Sequence, residues 1–221
     1  MCFRCFLLKK IYSIVIIKVD YNMEAIIMTV RVAILGGPRC GKTTLMQQLY
    51  VDMKIAGLSV GCASEYSTDY LREKGMIETI SEQYGIYLGQ FKLEAELSAF
   101  DYAITDYATF VPYIYARFML GDKTRTTKEI EILKDLYGLA IKDIQNYDYI
   151  FYVGREFGYE KDGVRWQDED IAIAVDNAIL SFLETEAISY TSLTGSTKER
   201  AKQVLDILNI KAELKDDTES K

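Results

Sequence analysis

The segment GGPRCGKTT, Gly36 to Thr44, sets glycines, a lysine and a hydroxyl at the spacing G-x-x-x-x-G-K-[ST]. Residues of these types in this order make an anion cradle. Glycine permits the left-handed and tight turns that aim successive backbone N–H groups inward. Lys42 reaches the β- and γ-phosphates of a nucleotide, Thr43 offers its hydroxyl to Mg²⁺, and the N-terminus of a following helix adds partial positive charge. Gly36, Gly37, Pro38, Arg39, Cys40, Gly41, Lys42, Thr43 and Thr44 are therefore the candidate nucleotide site, with ATP and Mg²⁺ as its ligands. Cys40 reads as a small filler in the loop rather than a nucleophile.

Such a loop needs a second carboxylate for magnesium, commonly at the end of a neighbouring strand. Asp106, closing AITD, fits, with Asp101 as the fallback. Asp106 also reads as the N-cap of a helix over Tyr107–Met119, a role compatible with metal contact. Glu65, in ASEYS, follows a second strand, at the strand ends where ligands of parallel sheets gather. It is the candidate to bind an acceptor hydroxyl or take its proton. Residues 154–167, GREFGYEKDGVRWQ, carry Arg155, Lys161 and Arg165 among glycines and read as a lid that brings an arginine to a transferred phosphoryl group. Trp166 packs the base of that lid. Tyr66 and Tyr107 are expected near the acceptor, and Arg72 and Arg117 are the cations available if the acceptor is a monophosphate.

Alternating strands and helices must hold these groups. Val30–Leu35 is a continuous β-rich run, as in a strand buried on both faces. Further strands are expected at Leu58–Cys62, Tyr102–Thr105, Tyr149–Val153 and Ile188–Thr191. Helical spacing runs from Lys42 to about Ala56, ending at Gly57, and over Thr68–Lys74, closed by Gly75. It returns through Tyr84, Tyr87, Leu88, Phe91 and Ala95, through Ile130, Leu133, Tyr137, Ala140 and Ile144, through Ile171, Val175, Ala178 and Phe182, and through Ala201, Val204, Leu205 and Leu208. This alternation predicts an α/β fold of three layers, with a five-stranded, mainly parallel sheet and helices on both faces. The expected boundaries are a leader or added element at 1–27, one domain at 28–210 with its lid at 154–167, and a solvated tail at 211–221.

Composition narrows the chemistry. The 221 residues include no histidine, which removes imidazole bases, Ser-His-Asp catalysis and His-ligated metals. Cys2 and Cys5 form a C-x-x-C without the further ligands a zinc site needs, and the scattered cysteines fit a reducing cytoplasm. Ile11–Ile17 is too short for the roughly 20 residues of a membrane span. The net charge is −7. Residues 1–27 carry Arg4, Lys9, Lys10 and Lys18 against Asp20 and Glu24, a balance of +2 that leaves −9 for the remainder. That balance disfavours non-specific nucleic-acid binding and leaves room for a local anion pocket.

Several stretches in order resemble a known group: GGPRCGKTTL, Glu65-Tyr66, Gln90 with Glu94, ITD ending at Asp106, DGVR at 162–165 and LTGSTKER at 193–200. The chain resembles, over about residues 30–210, the small P-loop kinases typified by the ribosylnicotinamide-kinase domain of bacterial NAD regulators, with their phage-encoded relatives. The resemblance implies that Lys42 and Thr43 bind ATP–Mg²⁺ and that Asp106 is the second metal carboxylate. It also implies that Glu65 binds or deprotonates the acceptor, Arg165 is the lid arginine, and Thr194–Gly195 line the adenine pocket. The group usually continues Glu-x-x-Arg after the second strand, whereas this chain has Glu65-Tyr66-Ser67-Thr68. The expected activity is phosphoryl transfer from ATP to a nucleoside- or nucleotide-like small molecule. The alternatives are a kinase acting on a polynucleotide end or a modified DNA base, and a regulatory ATPase. No N-K-x-D motif supports a GTPase switch.

Overall fold

Valine and isoleucine favour extended backbone, and runs rich in them build the centre of the sheet. A computed structural model describes residues 28–121, 125–155 and 169–210. The leader at 1–27 with its C-x-x-C, most of the expected lid including Lys161, Arg165 and Trp166, and the tail at 211–221 lie outside the described residues.

The strands are β1 (Val30–Leu35), β2 (Val60–Ala63), β3 (Tyr102–Thr105), β4 (Tyr149–Val153) and β5 (Thr191–Leu193). All pairs are parallel, in the order β2-β3-β1-β4-β5. The helices are α1 (Lys42–Ile55), α2 (Tyr66–Lys74), α3 (Glu82–Ala95), α4 (Val111–Leu120), α5 (Thr127–Ile144), α6 (Glu169–Thr185) and α7 (Thr197–Ile207). Alternation along β1 divides the core. Val32 and Ile34 pack with Leu45, Leu49, Val204 and Leu205 of α1 and α7, whereas Ala33 and Leu35 face the cluster built by α3, α4, α5 and α6. The expected three-layer α/β architecture is thus present, and the sheet is parallel throughout its described pairs. No described helix is long and apolar enough to cross a membrane.

Three kinds of difference from the sequence reading appear, each with a local reason. Leu58 and Ile188 do not begin strands. Each is the hydrophobic residue that closes the preceding helix in a Schellman motif. Leu58 N–H donates to Met53 and Gly57 N–H to Lys54, while Ile188 N–H donates to Leu183 and Ala187 N–H to Glu184. Second, α4 starts at Val111 with Phe110 at its cap and a proline in its first turn, so Asp106 caps no helix. Third, α5 buries Ile132, Leu136, Ala140 and Asp143, leaving Ile130 and Tyr137 exposed rather than in the expected stripe.

Candidate active site

The phosphate loop leaves the carboxyl end of the central strand and runs directly into α1. Its backbone demands glycine at two points. Gly36 has φ 148°, and a Cβ there would lie 2.3 Å from the Val153 carbonyl oxygen; Gly41 has φ 90° where it opens α1. Arg39 also takes a left-handed conformation, φ 64°. Lys42 folds its ammonium over the loop, donating to the carbonyls of Gly36 and Gly37 at 2.9 Å each. The Cys40 thiol is buried and donates to the Gly37 carbonyl at 3.0 Å, consistent with the filler reading.

Thr43 and Asp106 meet. Residue Thr105 closes β3 beside β1, which brings the following carboxylate to the loop, and the Thr43 hydroxyl donates to Asp106 Oδ2. Asp106 is 1% exposed and its Oδ1 has no hydrogen-bond partner. Burial raises its pKa first of all, and the nearby Glu65 charge adds to that, against the Thr43 bond and the Lys42 charge. An orphaned carboxylate oxygen beside a threonine hydroxyl is a hard-oxygen donor pair suited to Mg²⁺, which takes its remaining ligands from phosphate and water. No described cluster of three or more His, Cys, Asp or Glu residues competes for a metal. Asp101 precedes β3, at the opposite end of the strand.

Glu65 sits at the N-cap position of α2 without a side-chain capping bond, and Ser67 donates a hydrogen bond to its carboxylate. It lines both the cleft at the loop, with Lys42 and Asp106, and an adjoining cavity of about 290 Å³. Tyr107 and Tyr115 also line both spaces, whereas Tyr66 turns its ring onto Gly89 of α3. A buried amide fixes the spacing of the two carboxylate-bearing segments. Gln90 accepts from the Tyr66 amide at 2.9 Å and donates to Thr105 Oγ1 and to Glu94 at 3.0 Å each. Glu94 in turn accepts from the Tyr147 hydroxyl at 2.8 Å. Burial lifts the Glu94 pKa to about 7.

Neither candidate for a phosphorylated acceptor lies in this cavity. Arg72 is exposed and bonded to Asp69 at 3.0 Å, and Arg117 lines a separate cavity with Arg125 between α4 and α6. The cavity beside Glu65 has no Lys or Arg among its described lining residues.

Three residues make phosphate-loop contacts that the sequence reading did not foresee. Asp176 of α6 accepts from the Gly37 amide at 2.6 Å and from the Tyr152 hydroxyl at 2.8 Å, buttressing the loop from behind. Arg200 of α7, 1% exposed, donates to the Cys40 carbonyl at 3.2 Å and so ties the 193–200 segment to the phosphate loop. Thr194 and Gly195 lie in that segment, directly after β5 and before the Ser196–Glu199 capping box. Arg155, the described arginine of the expected lid, donates to the Pro38 carbonyl at 3.0 Å. A charged residue inside an apolar helical stripe was the available signal for Asp176.

Fold and loop together define a P-loop nucleotide-binding architecture. Residues 31–200 match the family model AAA_28, described as an AAA domain, and the chain belongs to that family. No curated protein matches the sequence. The fold is similar to that of a NadR protein solved in complex with NR (TM-score 0.69, 17% identity, 86% of this chain and 54% of that one). It is also similar to thymidylate kinase from Candida albicans (TM-score 0.61, 13% identity, 82% and 92%). A third similar structure is deoxyadenosine kinase from M. mycoides with bound dATP (TM-score 0.56, 13% identity, 80% and 98%). The chain spans about half the length of the NadR protein.

Proposed function

We propose that this protein is an ATP- and Mg²⁺-dependent kinase that phosphorylates a hydroxyl of an uncharged, nucleoside-like small molecule in the cytoplasm. The observation that carries the reading is the junction at Glu65, where the phosphate loop with its buried carboxylate opens onto a mostly apolar cavity without described cations. A monophosphate acceptor would need arginines there; a neutral one does not. The likeness to nucleoside and nucleotide kinases supports phosphoryl transfer over regulatory hydrolysis.

In this reading the loop amides and Lys42 hold the β- and γ-phosphates, while Thr43 and Asp106 hold the ion. Bound Mg²⁺ neutralises charge on the phosphate oxygens. Glu65, held by Ser67, takes the proton of the acceptor hydroxyl as its oxygen bonds to the γ-phosphorus and the bond to the β–γ bridging oxygen breaks, releasing ADP. Arg165 is the candidate to offset charge on the transferred phosphoryl group, and Thr194–Gly195 are the candidates to line the adenine pocket. Catalysis is positioning and electrostatics, chemistry that runs without histidine.

The test is ATP turnover with and without a nucleoside and nucleotide panel, with products identified by mass. Nucleoside monophosphate formed in step with ADP is expected, and Glu65→Gln is expected to slow it about 10²–10⁴-fold. Acceptor-independent hydrolysis with no phosphorylated product overturns the proposal; phosphorylation of a DNA end instead selects the polynucleotide alternative.

A further inference from the structure

The cavity beside Glu65 is apolar over most of its wall, with Leu71, Ile77, Ile86, Phe118 and Val175 contributed by α2, α3, α4 and α6 and the turn after α2. One lining residue breaks the pattern. Gln83, in the first turn of α3, is 1% exposed. Its Oε1 has no hydrogen-bond partner, and its Nε2 lies 3.4 Å from the Met119 thioether, a weak acceptor that also lines the cavity. A buried primary amide is thus left without an oxygen or nitrogen partner on its carbonyl side and with only a sulfur on the other. Leaving such an acceptor unpaired carries the desolvation penalty of a buried carbonyl, whereas an apolar side chain of the same shape carries none comparable. The other buried glutamine of the same helix, Gln90, has both ends bonded, so α3 does not leave its amides unpaired in general.

Resting on the kinase reading, we infer that Gln83 is the specificity-determining residue for the acceptor: its amide pairs with a flat heteroaromatic ring that presents an N–H donor beside an acceptor atom, as a nucleobase edge does. An amide is complementary to that edge, carbonyl to N–H and NH₂ to the ring acceptor. The aliphatic walls and the rings of Tyr107, Tyr115 and Phe118 cover the faces of such a ligand. Displacing the Met119 thioether from Nε2 replaces a weak contact with a strong one. A ring lacking the donor leaves Oε1 unpaired, and a site built to pair with an N–H rejects such an analogue strongly.

The test compares adenosine and cytidine with purine riboside and pyrimidinone riboside, which keep the ring and lose the amino donor. The wild type and Gln83→Leu are assayed for kcat/KM and, by calorimetry without ATP, for nucleoside binding. The wild type is expected to favour the amino nucleosides about 100-fold or more. In Gln83→Leu the preference is expected to fall to within about threefold, with an unchanged or raised melting temperature, because the unpaired group is gone. Gln83→Met, which is close in length and offers neither the carbonyl acceptor nor the NH₂ donor, serves as the second variant should the leucine variant fail to fold. Its preference is expected to fall as well. A preference that survives substitution overturns the inference. If the wild type hydrolyses ATP and phosphorylates nothing, the kinase reading fails by itself, and the calorimetric arm still decides. Nucleoside binding lost on Gln83→Leu supports the edge-reading role. Binding unaffected by the substitution, or absent from the wild type, overturns it.

Discussion

Lys42 holds the carbonyls of Gly36 and Gly37 with the same ammonium group that faces any phosphate entering the loop. Those two bonds leave the ammonium a third N–H for a phosphate oxygen, a charged acceptor that binds about twice as strongly as a neutral one. Lys42→Ala is expected to cut turnover about 10³-fold or more while the far-ultraviolet circular dichroism and melting curve stay near wild type. Full turnover in that variant would remove the loop from the mechanism. At this scale the sequence was informative where chemistry follows spacing along the chain. The loop, Asp106 and Glu65 each announced themselves by a motif or by position after a strand. Asp176, Arg200 and Gln83 did not, because their meaning lies across the fold: Asp176 meets a residue 139 positions away, and Arg200 one 160 positions away. Gln83 stands out only once its surroundings are seen to be apolar.

Three helix endings share one geometry. After α1, α6 and α7, the residues Gly57, Ala187 and Asn209 adopt positive φ, and Leu58, Ile188 and Ile210 then return an N–H to the last turn. An apolar residue after a helix resembles the start of a strand in one dimension, which is why β2 and β5 were expected two and three residues early. The strands Val30–Leu35, Tyr102–Thr105 and Tyr149–Val153, free of that ambiguity, were legible to the residue. Ala187 is a strained choice at φ 52°, where glycine carries no Cβ penalty. Ala187→Gly is expected to stabilise the protein by about 0.5–1 kcal/mol, visible as a melting temperature raised by about 1–4 °C. A lowered one would show that the αL cap is not the controlling strain.

For the molecule as a whole, Glu94 couples folding to pH. Its carboxyl, ordinarily near 4.5, is raised to about 7, chiefly by burial. Between these values the folded state keeps a proton that the unfolded chain has released, so stability falls as pH rises through this window. The loss approaches about 3 kcal/mol above pH 7. Glu94→Gln, which keeps the shape and removes the charge, is expected to match the wild type near pH 5 and exceed it near pH 8 in urea unfolding. Equal destabilisation at both values would sink this account. Sheet composition and parallel sense were readable from the alternation of strands and helices, whereas the strand order was not. Order depends on where each crossover lands, which local pattern does not encode.

That order, with β1 held on both sides and β5 a three-residue strand paired among the described residues to β4 alone, has a kinetic consequence. Amide hydrogens open to solvent by local unfolding, which begins at the weakly held margins of a sheet. Deuterium is expected to enter β5 first and β1 last. The phosphate cradle thus hangs from the slowest-exchanging strand and the Thr194–Gly195 segment from the fastest, so that one end of the cleft breathes while the other keeps its shape.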